Sequence, residues 1–527
     1  MKKTVRDDES KRDDDTLKTH EDVTPEAEER GSPSLGRGVL RKLITSVVLL
    51  LILLLSVIVV NTTGLTSKQM EVAAPAPAAV DGQAAAEHLS RAIQIKTISY
   101  RDPDQFDYTE YVRLREHLEL TFPLVHATLT REVVADHSLL YTWKGQDEGL
   151  ASILLMAHMD VAPIEPGTEG DWTYPPFEGH IADGHIWGRG TLDDKLSVLG
   201  LLEATEALLK EGAQPERAVY LAFGHDEEIG GQMGAAKLAD LLRSRGVRPE
   251  FILDEGGFIL VDAFPGMPSV AMLGIAEKGY LSLHLTVEGR GGHSSMPPPH
   301  TAVGVLSTAI HNLEANPFPI KLDGAARKMF AEYMAPELPF PMKLMFANLW
   351  FFEGGITSQL ASSSPATNAW LRTTTAATMF EGSVQDNLLP AKAKAVVNFR
   401  ILPGESIAST TERVRKVIND PRVKITVLEQ EASEPSIVSD TGAPSFELLQ
   451  RTTHEMFPNT FVTPALSHVA TDTRHYRDLS DNVYRFLPVV LKADDTGGIH
   501  GTNERISVES YEGMVRFYIQ LIRNSAL

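Results

Sequence analysis

The chain contains no cysteine in its 527 residues. Disulfides, thiolate metal sites, cysteine nucleophiles and lipid attachment through cysteine are excluded, so any zinc site must be built from histidine and carboxylates. Positive charge is also short: 49 Lys and Arg face 70 Asp and Glu, a formal net charge of -21. A surface of that sign does not hold a phosphate backbone, which excludes a nucleic-acid partner. Residues 1–38 have almost no aromatic or branched side chains and many charges. Such a segment cannot bury enough surface to fold, and it reads as a disordered tail.

The next stretch lacks charge instead. From Leu43 to Val60 eighteen residues carry none, enough to cross a bilayer core with help from the flanks. Residues 39–61 are therefore expected to form a single transmembrane anchor. Arg37, Arg41 and Lys42 precede the run. The positive-inside rule then puts the N-terminus in the cytoplasm and the rest outside it, in a periplasm, a lumen or the extracellular space. The rival is a cleaved signal peptide, but the charged tail is longer than such signals normally carry. Residues 62–82 are small and rich in Pro and Ala, a linker expected to hold the folded part off the membrane.

A chain of this length exceeds one core, so two folded domains are expected. Residues 83–279 alternate strand and helix patterns in the βα manner of a largely parallel sheet. Then Leu281, Leu283, Leu285 and Val287 alternate with polar residues, as in a half-exposed strand. The β-α-β-β-α-β order from there predicts a ferredoxin-like α+β domain inserted at 280–433. Within it, about 317–372 is an extra insertion. Residues 434–527 return to complete the first domain, giving an α/β fold overall. Met329, Phe330, Tyr333, Met334, Phe340, Met342, Met345, Phe346, Trp350, Phe351 and Phe352 crowd the insertion. They read either as helix packing within the inserted domain or as an adaptable apolar wall for a greasy substrate.

The chain is organised around SILLMAHMD, an apolar run ending in His158 and Asp160. Three other runs end the same way and carry Glu227 with Glu228, Asp254, and His500. Ligands in open α/β sheets bind beyond the carboxyl ends of the strands, so these residues are expected to converge. GRGTLDDK adds Asp193 and Asp194 on a loop before a helix whose apolar stripe includes Val198, Leu201, Leu202, Thr205, Leu208 and Leu209, with Gly212 as its stop. Singly, a histidine at a strand end is more often a satisfied polar residue than a ligand, and an acidic pair is usually a solvated turn. Together they form a ligand set. Two divalent ions would balance Asp193, Glu228, Asp254 and one hydroxide, whereas the carboxylates alone would repel.

HMD after an apolar strand, GRGTLDDK, HDEE, LDEGG, GGHSSMP, NLLPAKAKAVVNFR, TDTRHY and GIHGTNE occur in the order found in a known family. By them the chain resembles the dinuclear zinc peptidases of aminoacylase, succinyl-diaminopimelate desuccinylase and carboxypeptidase S, over about residues 85–525. The anchor, the long insertion and the HGTNE ending look most like the branch of carboxypeptidase S and the N-fatty-acyl amino acid synthase/hydrolases. The resemblance implies two Zn(2+) ions bridged by Asp193, one also held by His158 and Asp254, the other by Glu228 and His500. It implies a cis peptide between Asp193 and Asp194, a general base at Glu227, and Asp160 behind His158 fixing its tautomer. It further implies an inserted domain acting as a lid, with His293 stabilising an oxyanion and Asn387, Arg400 and Arg474 meeting the carboxylate of an amino acid. The implied activity is cleavage of the amide bond of N-acyl amino acids or short peptides, by a chain that pairs as a homodimer through the lid. A non-catalytic, membrane-tethered binding protein that keeps the fold is the alternative. It would show an eroded site, whereas Glu227 and all five ligands are present.

Overall fold

The structure is a computed structural model that describes residues 37–264, 266–428 and 432–527. The expected tail falls outside these residues except for its last two. Residues up to Val57 and residues from Ile58 onward form separate compact units. Helix Arg37–Gly64 begins in the first. It is long and apolar enough to cross a membrane, with a mean hydropathy of 3.3 in its most apolar stretch and none of that stretch buried.

In the second unit an eight-stranded mixed sheet runs in the order Thr130–Val134, Ser138–Trp143, Val219–Gly224, Ile153–His158, Phe251–Phe264, Val483–Lys492, Met267–Glu277, Phe461–Ser467. Its four central strands, Val219–Gly224 to Val483–Lys492, are mutually parallel. They are the four apolar runs of the sequence, so their carboxyl ends lie side by side. Every residue of Ile153–His158 is buried. Ile153, Leu155 and Ala157 face one core, while Leu154 and Met156 face another. Each of these leucines contributes about 1.5–3 kcal/mol through burial.

Helices Lys195–Lys210, Val508–Ala526 and Gly82–Ile93 pack together over the first face. Helix Ala235–Ser244 covers the second. Lys195–Lys210 ends as its stripe predicts, with Gly212 following at φ 79. Where that helix meets Val508–Ala526 the crossing is close: a Cβ on Gly200 would fall 2.4 Å from Met514 Cε, so the methionine end would have to move aside.

A second sheet, antiparallel throughout, runs Thr374–Glu381, Lys392–Ile401, Gly279–Glu288, Val423–Val427. Helices Ala302–Ala315 and Ile407–Ile418 share one core with it, which is the ferredoxin-like arrangement. The insertion behaves otherwise than expected. Met329, Phe330, Tyr333, Met334 and Trp370 join the core of the main sheet, not that of the second. Trp370 Nε1 donates to Leu466 O at 3.1 Å. The insertion thus covers the apolar edge strand Phe461–Ser467, which would otherwise be left open. The linker is likewise not a free spacer. The Gln69 side chain bonds Val462 N and O at 2.8 and 3.0 Å, and Gln450 Nε2 donates to Lys68 O at 2.8 Å.

Candidate metal centre

His158 ends its strand 1% exposed. Its Nε2 lies 2.9 Å from Asp193 Oδ1 and 3.4 Å from Glu255 Oε1. On the far side of the ring Nδ1 lies 3.1 Å from Asp160 O and 3.4 Å from Asp160 Oδ1. Asp160 is fully buried and does more than orient the histidine. It accepts from Ser99 Oγ at 2.6 Å and from the N–H groups of Glu227 and Glu228, both at 3.1 Å. One carboxylate thereby ties the strand carrying His158 to the turn Glu227–Ile229, which follows strand Val219–Gly224.

Asp193 lies between two histidines. Its Oδ2 is 3.0 Å from His500 Nε2, and the same nitrogen is 3.0 Å from Glu228 Oε2. His500 stands in a turn at φ 58, its side chain 54% exposed. The bond between Asp193 and Asp194 is cis. Two groups of ligand atoms result, His158 with Asp193 and Glu255, and Asp193 with Glu228 and His500, the atoms of each within 4.8 Å of one another.

Asp254 is in neither group; Glu255, which follows it in the strand, is in the first. Strand Phe251–Phe264 does not end at its acids. Its pairing with Val483–Lys492 jumps from Asp254 opposite Arg485 to Gly257 opposite Phe486, so Glu255 and Gly256 form a bulge. Successive residues of a regular strand face opposite ways; from the bulge Glu255 Oε1 reaches to 3.4 Å from His158 Nε2. Glu255, beside Asp254 in LDEGG, is a further acid that the structure brings to His158; a pair of adjacent acids does not reveal in the sequence which member faces the site. Asp254 is 4% exposed with Oδ2 unpartnered, and burial raises its carboxyl to about 6.

The donors suit divalent cations. Burial and then neighbouring acids push Glu227, Glu228 and Glu255 up, the last to about 8. Burial opposes charging of His158, yet Asp160, Asp193 and Glu255 raise it well above an ordinary imidazole. Hydrogen bonds that His500 donates to the Asp193 and Glu228 carboxylates raise it to about 10. Burial would likewise raise Asp193, but the two histidines hold it below the usual range. Protons are thus retained where positive charge is wanted, and Glu228 Oε1 is buried with no partner.

Arg474 Nη2 lies 3.8 Å from Glu227 Oε1. Arg400 stacks over the Tyr280 ring at 4.6 Å in the second sheet. His293 pairs with Leu388 in a separate two-stranded sheet, where Ser294 N donates to Asn387 O at 3.0 Å. His293 Nδ1 lies 2.8 Å from Ser295 Oγ. None of these three touches the ligand groups among the described residues.

Glu504 was also missed, although it ends the HGTNE motif. It is fully buried and accepts from Arg189 Nη1 and from the N–H groups of Gly190, Leu192 and Asp193, the last three at 2.9, 2.8 and 3.3 Å. It therefore anchors the loop that presents Asp193.

The sequence profile of Peptidase family M20/M25/M40 matches residues 154–524. A Dictyostelium discoideum protein named "Probable carboxypeptidase S-like 2" is 41% identical over 498 residues, 92% of this chain and 93% of that protein. A Xenopus tropicalis "N-fatty-acyl-amino acid synthase/hydrolase PM20D1" is 41% identical over 442 residues, 83% of this chain and 85% of that one. The crystal structure of an M20 family metallo-carboxypeptidase from Sulfolobus solfataricus superposes with a TM-score of 0.61 at 16% identity, covering 83% of this chain and 98% of that one.

Proposed function

The chain belongs to Peptidase family M20/M25/M40, and from that premise we propose a membrane-anchored dinuclear zinc hydrolase that cleaves the amide bond of N-acyl amino acids or short peptides. That it is an enzyme of the metallopeptidase type follows from membership. The observation that carries the finer reading is Asp193, one carboxylate oxygen toward each histidine, shared by two ligand groups. His158 and Glu255 complete one group, Glu228 and His500 the other. Two zinc ions held there would polarise the scissile carbonyl and bring the ionisation of water near neutral pH.

The residues of the chain supply the rest. Glu227, free of the ligand groups and raised by burial, accepts a proton from water at its carboxylate and passes it to the leaving amine. Asp160 holds the His158 ring so that Nε2 faces the site. Arg474 sets a guanidinium beside Glu227, suited to the free carboxylate of the substrate. The second sheet acts as a lid. On closure His293 meets the developing oxyanion, and Arg400 with Asn387 lines the amino acid side. Helix Arg37–Gly64 anchors the chain with its N-terminus cytoplasmic, and pairing through the lid belongs to the same reading. The names of the two relatives favour a C-terminal amino acid as product and leave the acyl side between a peptide and a fatty acid.

The test crosses acyl length with amino acid identity for the zinc-loaded chain and for Glu227→Gln. Turnover should rise with acyl length and vanish in Glu227→Gln while both ions remain bound. A flat response to acyl length removes the fatty-acyl preference, and surviving activity in the variant removes Glu227 as base.

A further inference from the structure

Between Leu338 and Phe352 the one charged side chain is Lys343. This segment forms helix Phe340–Ala347 and the start of helix Leu349–Ser363. Its apolar side chains divide. Phe346 and Leu349 turn into the core of the main sheet, whereas Phe340, Met342, Met345, Trp350 and Phe351 are 63%, 42%, 38%, 58% and 61% exposed. So many exposed large apolar side chains on two consecutive helices call for a partner.

The chain itself indicates which partner. Asn348, fully buried between the two helices, donates from Nδ2 to Ile58 O and Thr62 Oγ1, both at 3.3 Å. Its Oδ1 accepts from Asn61 Nδ2 at 3.0 Å and from Trp350 Nε1 at 3.3 Å. Ile58 to Thr62 are the last turns of the apolar helix Arg37–Gly64, so the exposed aromatics sit where the chain leaves its hydrophobic run. Beyond Gly64, Lys68 bonds Glu332 at 2.8 Å and Gln69 bonds Val462. No slack therefore separates the helix end from this surface.

We propose that the face made by Phe340, Met342, Met345, Trp350 and Phe351 lies in the interfacial layer of the bilayer that the apolar helix enters, so that the catalytic body rests on the lipid surface. The inference depends on the membrane anchoring proposed above. Tryptophan and phenylalanine at the headgroup boundary, on short helices lying in its plane, are the usual chemistry of such contacts.

Trp350 also makes the proposal measurable. Of the 5 tryptophans, Trp143, Trp172, Trp187 and Trp370 are only 4%, 8%, 8% and 7% exposed. The full chain is reconstituted into phosphatidylcholine vesicles with and without bromine on the acyl chains, and flotation after alkaline wash is scored beside fluorescence. The expected result is a chain that floats and loses about one fifth of its emission to brominated lipid, one tryptophan in 5, with that loss absent in Trp350→Phe. A chain that floats with unquenched emission, or with quenching that persists in Trp350→Phe, overturns the surface contact and leaves the anchor standing. A chain that stays in solution overturns both.

Discussion

Replacing Glu504 by glutamine changes no volume but strips the charge from the residue that anchors the Asp193 loop. Arg189, 1% exposed, gives its Nη1 to Glu504 and its Nε to Ala162 O at 3.1 Å. A guanidinium cannot shed its proton, so in Glu504→Gln it stays charged and buried opposite an amide. Breaking such a pair from one side costs about 3–5 kcal/mol. With the amide oxygen kept on the three loop N–H groups that Oε1 now accepts, the NH2 faces Arg189 Nη1, donor against donor, and the loss of that hydrogen bond adds about 1 kcal/mol. At about 2 °C per kcal/mol, the low end of the usual scale for a domain of about 290 residues, the melting temperature of the zinc-loaded protein should fall on the order of 10 °C. Melting is followed by intrinsic fluorescence with excess zinc. A Glu504→Gln melt within about 2 °C of wild type, less than 1 kcal/mol on that scale, would refute the reasoning.

Other substitutions separate the remaining roles. Glu255→Gln should weaken zinc binding at least about tenfold more than Asp254→Asn, a difference of about 1.4 kcal/mol, in titrations against a competing chelator; the reverse order would restore Asp254 as the ligand. Asp160→Asn frees both the His158 ring and the Glu227–Glu228 amides, and should cost about 10–100-fold in metal affinity or turnover; an unchanged variant would make those bonds incidental. His468, stacked on Trp370 at 5.1 Å, is lowered to about 4 by burial and then by Lys278 and Arg400. Between that value and about 6.5 the unfolded chain binds the proton and the native one does not, so stability falls as pH drops through the window. His468→Phe should lose less stability over that window, by at most about 3 kcal/mol; parallel unfolding curves would show that His468 contributes nothing to acid sensitivity.

Much of the site was legible because parallel strands buried on both faces read as uninterrupted apolar runs, and what ends them must lie at the sheet edge. His158, Glu227, Glu228 and His500 all follow that rule, and the spacing of Leu201, Leu202 and Leu208 marked the helix behind Asp193. The approach of Glu255 to His158 was not legible, since Glu255 lies in a bulge of the pairing with Arg485 and Phe486, more than two hundred positions away. The placement of the insertion was hidden for a similar reason. Met329 and Trp350 look alike by composition alone, and only the edge strand Phe461–Ser467 and the contacts of Asn348 send one inward and leave the other exposed. Ser99 carried no signal at all, because a serine that bonds a buried aspartate looks like any other.

The most direct test is anomalous scattering at the zinc edge from crystals of the zinc-loaded chain. The account predicts two peaks that share Asp193, one also within bonding distance of His158 and Glu255, the other of Glu228 and His500. A single peak, or a pair that does not share Asp193, would contradict it.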